Sequence, residues 1–375
     1  MGGGDGYDGS AGIGSGSHST GYTHITLHDG VTVVEAKGGG NSSHGGGGGA
    51  GIGSGNRAKG NTDILIKGAT KVTAKGGSTA AGIGSGNGSN GSTIINIEGG
   101  TITAEGGGKE NGSCQASGAG IGSGGNALNK TTINIKGGEI TATGGVSLDS
   151  RNHSDKWLSG AGIGSGSNVS GETEINISGD STIKSASGGK YGGAGIGSGS
   201  YSGSTPDNKK GAVTINITDG TIEKATGGGE YVPSSKRWYS GAGIGAGLNA
   251  GTTTINIKDN AHIVSATGGK YGGAGIGSGS GDTKNDSKKG AVTINITDGT
   301  IEKAEGKDGG AGIGSGYYGR SSTVNISGNA ELKDVKGGNL AAGIGSGYDS
   351  GKVDVVIDGG TINATGGDSA AGIGP

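Results

Sequence analysis

The sequence contains few of the side chains from which globular cores are usually built. It has no phenylalanine, its one methionine is Met1, and aromatic residues make up 3% of the 375 residues. Large aromatic and flexible side chains therefore cannot fill a wide interior. A narrow core of stacked isoleucine, valine and alanine is compatible with this composition.

Proline and cysteine are also scarce, and their scarcity excludes two further classes. With three prolines, and with 99 glycines that do not fall at every third position, the chain cannot form collagen. The single cysteine, Cys114, lies in a polar stretch and excludes a disulfide within the chain. Disorder is not expected either, because apolar residues alternate regularly with polar ones.

Charge and hydropathy argue against two kinds of partner. The formal net charge is −2 at pH 7. The sequence therefore lacks the excess of basic residues that is typical of proteins that bind nucleic acid or an anionic membrane surface. No apolar run approaches the length needed to cross a bilayer, and no signal peptide precedes the repeats. We therefore expect no nucleic-acid partner and no membrane insertion.

One phrase is abundant: Ala-Gly-Ile-Gly occurs eleven times between Ala11 and Gly374. Ten copies continue as AGIGSG or AGIGAG, and the spacing of successive copies ranges from 29 to 48 residues. A fixed phrase with variable spacing indicates a repeat architecture whose insertions lie in surface loops. We therefore interpret residues 1–375 as one repeat domain, with coils that start near residues 11, 50, 81, 119, 161, 194, 242, 274, 311 and 342 and a partial eleventh from 371.

Residues 131–145, TTINIKGGEITATGG, show the rest of the repeat. Ile133 and Ile135 alternate with Thr132 and Asn134, which predicts a strand, and a second alternating segment follows the Gly-Gly turn. With the phrase as a third strand, each unit has three short strands. Three short strands in each repeat predict an all-β fold, a parallel β-solenoid of about ten coils with variable loops at its corners.

An antiparallel alternative is compatible with the same turns, because glycine-containing turns also connect β-hairpins. Against it, the second strand occurs in two lengths, Ile-x-Ala and Ile-x-x-Ala. A solenoid coil absorbs the additional residue as a bulge, whereas a hairpin ladder needs a compensating change in its partner. The two lengths therefore favour the solenoid.

Parts of the array are recent copies. The segment KYGGAGIGSGS at 190–200 recurs unchanged at 270–280, and AVTINITDGTIEKA at 212–225 recurs at 291–304. The array therefore grew by the copying of coil pairs, which a modular rod tolerates.

With its pattern TINIxGGTITAxGG followed by GAGIGSG, nearly the whole chain resembles the glycine-rich right-handed β-helix repeats of bacterial cell-surface proteins. These include adhesins and carbohydrate-binding domains of anaerobic gut and cellulolytic bacteria. The resemblance implies a right-handed helix, an extracellular location at the bacterial surface, and binding to polysaccharide or to a host glycan. Since the chain starts and stops within the repeat pattern, we expect it to be a piece of a longer secreted protein.

Aromatic and basic residues recur just before several phrases and form the candidate binding site. Aligned backward from the phrase alanine, they share one corner of the predicted rod, and Trp157 and Trp238 lie two coils, or about 10 Å, apart. Flat aromatic faces suit the C–H surfaces of sugars, and basic side chains supply hydrogen-bond donors. This corner stripe consists of Lys156, Trp157, Lys190, Tyr191, Arg237, Trp238, Tyr239, Lys270 and Tyr271. A structural role, in which the aromatics cover the corner of the solenoid, fits the same positions.

Two other surfaces provide alternatives. Outward threonine and asparagine columns on the first strand are typical of surfaces that order water in ice-binding solenoids, although they are interrupted at Leu65, Ile94, Glu174 and Val356. The phrase glycines, such as Gly120, predict a flat backbone face against which a neighbouring chain, the chain's own loops or a flat polymer packs. The main alternative function is therefore a structural or adhesive spacer that self-associates through this face or through uncapped ends.

Metal-binding motifs are weak. The GGxGxD pattern of calcium-binding β-rolls lacks its acidic residue in this chain. Three loop aspartates offer at most a weak calcium site: Asp207, Asp282 and Asp286. Three histidines near the start have a spacing that fits no zinc pattern: His18, His24 and His28. We therefore expect no cofactor.

Catalysis is not expected either. Hydrolases and lyases built on β-helices need a fixed group of acids or bases in one groove. The outward acids of this chain are scattered over coils and faces: Asp63, Glu139, Glu174, Glu223, Glu302 and Asp354. The sequence thus predicts a non-enzymatic cell-surface module that binds polysaccharide or host glycan through the corner stripe.

Overall fold

The computed structural model describes residues 8–40, 47–108, 116–149, 156–202, 209–232, 237–281 and 291–374. In these residues the chain forms a parallel β-solenoid in which each coil stacks in register on the next. Each coil contains a two-residue strand within the phrase, then a first strand and a second strand. The predicted fold class is confirmed.

The phrase strands pair into one continuous eleven-stranded sheet. Each consists of the phrase isoleucine and the glycine after it, and it pairs with the same two residues of the adjacent coils, for example Ile121 with Ile163. These strands are Ile13–Gly14, Ile52–Gly53, Ile83–Gly84, Ile121–Gly122, Ile163–Gly164, Ile196–Gly197, Ile244–Gly245, Ile276–Gly277, Ile313–Gly314, Ile344–Gly345 and Ile373–Gly374.

The first and second strands form the rest of the wall. Separate first strands are Thr23–Leu27, Thr62–Ile66, Thr173–Ile177, Val213–Ile217, Thr253–Ile257 and Val292–Ile296. Separate second strands are Thr32–Lys37, Lys71–Lys75 and Thr182–Ser187, and interrupted ones are Thr221–Ile222 with Ala225–Thr226, His262–Ile263 with Ala266–Thr267, and Thr300–Ile301 with Ala304–Glu305. The two strands run together as Thr93–Glu105, Thr131–Thr143, Ser322–Lys336 and Val353–Thr365.

Ladders of isoleucine and alanine fill the narrow interior. The inward residues of the fourth coil are all 0% exposed: Ile121, Ile133, Ile135, Ile140 and Ala142. The parallel register places Ile133 on Ile175 of the next coil, so like packs on like along the rod. Full burial of one such side chain contributes about 1.5–3 kcal/mol. The threonines and asparagines between them lie on the outer face, as the alternation predicts.

The additional residue of the longer second strand forms a bulge. Ile140 pairs with Ile183 and Ala142 with Ala186, so the fifth coil has one more residue between the two pairs than the fourth. The strands of the described coils pair in parallel with those of neighbouring coils. The antiparallel alternative is therefore wrong for the coils.

The phrase itself is a closed loop rather than an extended strand. The Ala119 N–H donates to the Ser123 carbonyl oxygen at 3.0 Å, and the equivalent bond recurs in each of the ten complete phrases. Gly122 has a φ of 136°, which side chains of L-residues disfavour, and a Cβ there would lie 1.8 Å from the Gly164 carbonyl oxygen. Glycine therefore follows the phrase isoleucine for steric reasons.

The glycine face of the phrase is closed by the molecule's own backbone. Gly120, Gly122 and Gly124 are buried, and a Cβ at any of them would meet backbone atoms of adjacent segments within 3 Å. Of the packing partners that the sequence left open, the molecule's own backbone is the one that covers these glycines in the internal coils. Period-two alternation assigns every second residue to an outer face only where the chain is extended, and the phrase curls back on itself.

A seam of backbone hydrogen bonds between glycines runs along the corner at which insertions leave the coils. Gly145 N–H donates to the Gly118 oxygen at 2.9 Å, Gly160 N–H to Gly145 at 3.0 Å, and Gly189 N–H to Gly160 at 3.0 Å. The two ends of an insertion are therefore joined by backbone bonds that do not depend on its length. This seam explains how the phrases keep register while their spacing in sequence varies.

Candidate functional site

Two insertions at the seam form antiparallel β-hairpins that carry both tryptophans. Trp157 pairs with Leu148 in the first hairpin, and Trp238 pairs with Tyr231 in the second. The hairpin strands are Val146–Asp149 with Lys156–Ser159, and Gly229–Val232 with Arg237–Ser240. The corner stripe thus lies partly on regular strands, and not only in corner loops.

Part of the corner stripe is buried in a second, small apolar core. Tyr191 and Tyr239 are only 4% and 6% exposed. The ring centroids of Trp157 and Tyr191 lie 4.5 Å apart at 70°, and those of Tyr191 and Tyr239 lie 6.4 Å apart at 76°, so both pairs meet edge to face. This corner cluster consists of Trp157, Tyr191, Val232, Tyr239 and Leu248. Its tyrosines offer a polymer little ring surface, and their burial favours the structural role for them.

Two other aromatic residues of the corner stripe, Trp238 and Tyr271, line an open cleft. Trp238 is 40% exposed, and its ring centroid lies 4.4 Å from that of Tyr271 at an angle of 44°. Tyr317 and Tyr348 continue the row, with ring centroids 5.5 Å apart and planes within 7°. A cavity of ≈ 350 Å³ lies at this row. Its lining, called the aromatic cleft below, is Trp238, Tyr271, Asp308, Gly309, Tyr317, Asn339 and Leu340.

Close backbone contacts and an uncommon backbone conformation shape the aromatic cleft. Tyr271 has a φ of 77°, which is rare for a bulky residue, and its N–H donates to Asp308 Oδ2 at 3.0 Å. A Cβ at Gly272 would lie 2.3 Å from the Tyr317 Cβ, and one at Gly309 would lie 2.6 Å from the Tyr317 ring. A side chain at Gly272 or Gly309 would therefore clash with Tyr317, so glycine at both positions is needed to accommodate this ring. Strained positions that specific partners hold in place occur often at ligand sites.

Charged groups lie close to these rings. Lys190 Nζ lies 5.0 Å from the Tyr191 ring centroid, and Lys270 Nζ lies 4.8 Å from that of Tyr271. A hydrogen bond to the Tyr271 side chain, followed by nearby negative charges, raises the pKa of Lys270. Burial, and next a hydrogen bond with Tyr318, raises the pKa of Tyr317 above its usual range. At neutral pH Lys270 is therefore a cation and Tyr317 is uncharged.

The structure divides the predicted corner stripe into two groups. Trp238 and Tyr271 line the aromatic cleft and Lys270 lies beside it, whereas Trp157, Tyr191 and Tyr239 belong to the corner cluster. Two further members, Lys156 and Arg237, lie on hairpin strands, and Lys190 stacks on Tyr191. Sugar contacts by any of these residues stay predictions.

Four lining side chains were not among the predicted residues: Asp308, Tyr317, Asn339 and Leu340. Tyr317 and Tyr348 share one register position, directly after AGIGSG in the ninth and tenth coils, and Leu340 precedes the tenth phrase by two residues. The turn after each phrase lies beside the segment before the previous phrase, since Tyr317 N–H donates to the Gly272 oxygen at 2.7 Å. Alignment forward from the phrase would have placed both tyrosines at the same corner as Tyr271.

The asparagine column of the first strands is a hydrogen-bonded ladder. Asn134 Nδ2 donates to Asn96 Oδ1 at 2.9 Å, Asn176 donates to Asn134 at 2.8 Å, and the ladder continues through Asn216, Asn256 and Asn295 to Asn325. The amides thus bind one another along the rod, which accounts for asparagine at this position within the fold. Ice binding by this face stays a prediction.

The outward carboxylates form ion pairs across coils. Lys184 Nζ lies 2.6 Å from Glu223 and 3.8 Å from Glu139, and Lys333 Nζ lies 3.0 Å from Glu302. The hydrogen bond from Lys333 lowers the pKa of Glu302, with a smaller contribution from His262. These pairs are typical of solvated surface charge.

Within the part of the chain that the structure describes, no three His, Cys, Asp or Glu side chains are grouped so that they could hold a metal ion. The same residues include no helix that is long and apolar enough to span a bilayer. The loop aspartates Asp207, Asp282 and Asp286 lie outside the described residues, as does Cys114.

Comparison with known protein families agrees with the coils. A family model described as a beta helix repeat matches residues 64–87, 95–125, 133–167, 175–200, 215–248, 294–317 and 355–375, together more than half of the chain. The chain therefore belongs to the β-helix repeat family. No curated protein and no solved structure matches it.

Proposed function

We propose that this protein is a non-enzymatic, extracellular module of a bacterial surface that binds polysaccharide through the aromatic cleft. The observation that carries this proposal is the cavity of ≈ 350 Å³ whose walls include Trp238, Tyr271 and Tyr317. Aromatic rings that are partly exposed and fixed in place suit the apolar faces of pyranose rings. The cleft replaces the full corner stripe as the proposed site.

The dimensions of the cleft suit a linear polymer. Trp238 and Asn339 precede phrases that are three coils apart, so the cleft extends about 14 Å along the rod at about 4.8 Å per coil. Several successive sugar rings of an extended glycan would meet this length. Tyr348, which is 39% exposed, continues the aromatic row beyond the cavity.

The polar groups of the cleft are few and fixed, as is usual for ligand sites. Asp308 and Asn339 are the lining residues that can bond sugar hydroxyls. Leu340, which is 49% exposed, adds apolar surface that is otherwise costly in water. Rings for stacking and a small number of polar groups for orientation together favour a carbohydrate ligand.

The non-enzymatic part of the proposal rests on the outward carboxylates. Glu223 and Glu302 each form an ion pair with a lysine of an adjacent coil, and Glu174 lies 2.6 Å from Lys130. General acids and bases need pKa values near the working pH. The hydrogen bond from Lys130 instead lowers the pKa of Glu174, which keeps it a carboxylate.

The test is retention of the protein on immobilised polysaccharides and its affinity for the best of them. The double variant Trp238→Ala, Tyr317→Ala removes two stacking rings and should weaken binding about tenfold or more. The matched control is Tyr22→Ala, because Tyr22 is an aromatic residue that is 66% exposed on the first coil, far from the cleft.

Equal retention of the double variant and the wild type would show that the cleft is not the site. Failure of the wild type to bind any polymer would overturn the proposed function and favour the alternative of a structural spacer. Circular dichroism of both variants shows whether the coils are intact, so that loss of binding is not confused with loss of fold.

A further inference from the structure

We propose that the aromatic cleft selects a glycan with protonated amino groups over neutral and acidic glycans of the same backbone. This inference rests on the proposed function and names the ligand class of the same site. Its starting observation is the lining of the cleft, in which Asp308 is the single charged residue among those described. A carboxylate beside aromatic rings favours a cation.

The Asp308 carboxylate is fixed at the surface of the cleft. Its Oδ2 accepts the Tyr271 N–H at 3.0 Å, and its backbone oxygen accepts the Leu340 N–H at 3.4 Å. A Cβ at Gly338 would lie 2.1 Å from this backbone oxygen, so the chain approaches closely on that side. The side chain is exposed, and a carboxylate with about four lone-pair positions can accept further hydrogen bonds. An ammonium group in the cleft therefore meets a charge that is already in position.

The rings add to this attraction. Lys270 Nζ, outside the cleft lining, already lies 4.8 Å from the Tyr271 ring centroid. Asp308 is among the negative charges that act on Lys270, so a further ammonium group would use the Trp238 ring. Trp238, whose ring is the strongest kind of cation acceptor, lies 4.4 Å from Tyr271 and has an exposed surface. The same geometry that suits sugar stacking thus also suits an amino group on the sugar.

The charges around the cleft oppose an acidic glycan. Asp308 lies in the cleft, and Asp349 is close enough to Tyr317 to raise the pKa of its hydroxyl group. Glu230 acts on Lys270 from the second hairpin, and Lys270 is the one cation among these groups. A uronic acid or sulfated sugar would therefore meet more negative than positive charge.

The experiment compares β-1,4-linked oligomers of glucosamine, N-acetylglucosamine, glucose and glucuronic acid by calorimetry at mildly acidic pH, at which the amino groups of the glucosamine oligomer are protonated. We expect the glucosamine oligomer to bind about tenfold more tightly than the glucose oligomer. The glucuronic acid oligomer should bind most weakly. Raising the pH until the amino groups are neutral should remove the preference for glucosamine.

The decisive variant is Asp308→Asn. Asp308 has a φ of 47°, which asparagine also adopts, and the amide oxygen can still accept the Tyr271 N–H, so the cleft should keep its shape. We expect the preference for glucosamine, measured as the ratio of its affinity to that of the glucose oligomer, to fall to less than about threefold. The control Asp219→Asn makes the same change in net charge at the turn between the first and second strands and should leave the preference intact.

The outcomes separate the two proposals. Equal binding of all four oligomers, or an unchanged preference in Asp308→Asn, overturns the amino-sugar inference and leaves the proposed function in place. Loss of all binding in the wild type overturns both. Tighter binding of an oligolysine peptide than of any sugar would show that the cleft recognises cations on a protein rather than on a glycan.

Discussion

Two identical segments of this chain have opposite environments. KYGGAGIGSGS occupies residues 190–200 and again 270–280. In the first copy Tyr191 is 4% exposed and its N–H donates to Ser159 Oγ at 2.9 Å. In the second copy Tyr271 lines the aromatic cleft, and its N–H donates to Asp308 Oδ2 at 3.0 Å. The same eleven residues thus support a buried cluster in one place and an open cleft in another.

The two environments differ in one of the residues that each tyrosine contacts. Both tyrosines contact a hairpin tryptophan, Trp157 for Tyr191 and Trp238 for Tyr271. The Tyr191 ring also contacts the ring of Tyr239 in the second hairpin, whereas the Tyr271 N–H is bonded to Asp308, which lies in a short turn. In a solenoid the environment of a repeat therefore depends on the insertions of its neighbours as well as on its own sequence.

The largest expected effect tests whether the phrase contributes equally to the stability of the coils in both copies. Gly197 and Gly277 have φ values of 139° and 141°, and a Cβ at either would lie within 2 Å of a carbonyl oxygen of the next coil. Gly197→Ala and Gly277→Ala should each lower the free energy of unfolding by about 3 kcal/mol or more. Urea unfolding followed by circular dichroism measures this loss. A large difference between the two variants would contradict an equal structural role of the phrase in the two copies.

The next prediction is that the tyrosines of the two copies contribute differently to the free energy of unfolding. Tyr191→Ala removes a ring from the buried corner cluster and should cost about 3 kcal/mol. Tyr271→Ala removes a partly exposed ring and keeps the Cβ, so the cost of the positive φ is unchanged and we expect a loss below about 1 kcal/mol. Hydrogen exchange at the seam glycines provides a local measurement beside the global unfolding curve. Equal losses in the two variants would show that Tyr271 is as structural as Tyr191.

The repeated coil was predictable because its signals are local. Alternation of Ile133 and Ile135 with polar residues, together with a recurring phrase, predicts parallel stacking with like residues in register. The phrase glycines were predictable as a close contact, but the sequence left open whether the chain itself, a neighbouring chain or a polymer makes it. Only the hydrogen bond from the phrase alanine to the phrase serine shows that the chain curls there.

The cleft was only partly predictable, because its members come from different register positions. Trp238 and Tyr271 precede a phrase, so backward alignment places them at one corner. Tyr317 follows a phrase, so backward alignment misses it, and its contact with Gly272 joins two register positions that only an additional forward alignment would have compared. The burial of Tyr191 depends on a hairpin in the next insertion, and insertions have no repeat from which their structure can be predicted.

A smaller effect uses the two tryptophans as reporters, one beside each copy. In Trp157→Phe the fluorescence comes from Trp238, which is 40% exposed, and in Trp238→Phe it comes from the partly buried Trp157. We expect acrylamide to quench the Trp238 signal more strongly, because collisional quenching requires exposure. A glycan that binds in the cleft should protect Trp238 and leave Trp157 unchanged. Protection of Trp157 instead would place the ligand at the corner cluster.

The smallest expected effect concerns tyrosine ionisation beside the open copy. Burial raises the pKa values of Tyr201 and Tyr317 above the usual range. Because the pKa is higher in the folded than in the unfolded state, each contributes stability that is complete below about pH 10 and is lost as the pH rises further. Absorbance titration should therefore show a late-ionising group of tyrosines that includes these two.

Tyr317→Phe isolates the contribution of the cleft to this alkaline transition. The variant cannot ionise at this position, so its melting temperature should fall less than that of the wild type as the pH rises above about 10. In the single-tryptophan variants, Tyr317→Phe should alter the alkaline response of Trp238, which lines the cleft with Tyr317, and leave that of Trp157 unchanged. An identical alkaline profile with and without the Tyr317 hydroxyl group would mean that the transition is controlled by other groups, such as the buried Tyr201, whose hydroxyl donates to the Val169 oxygen at 2.5 Å.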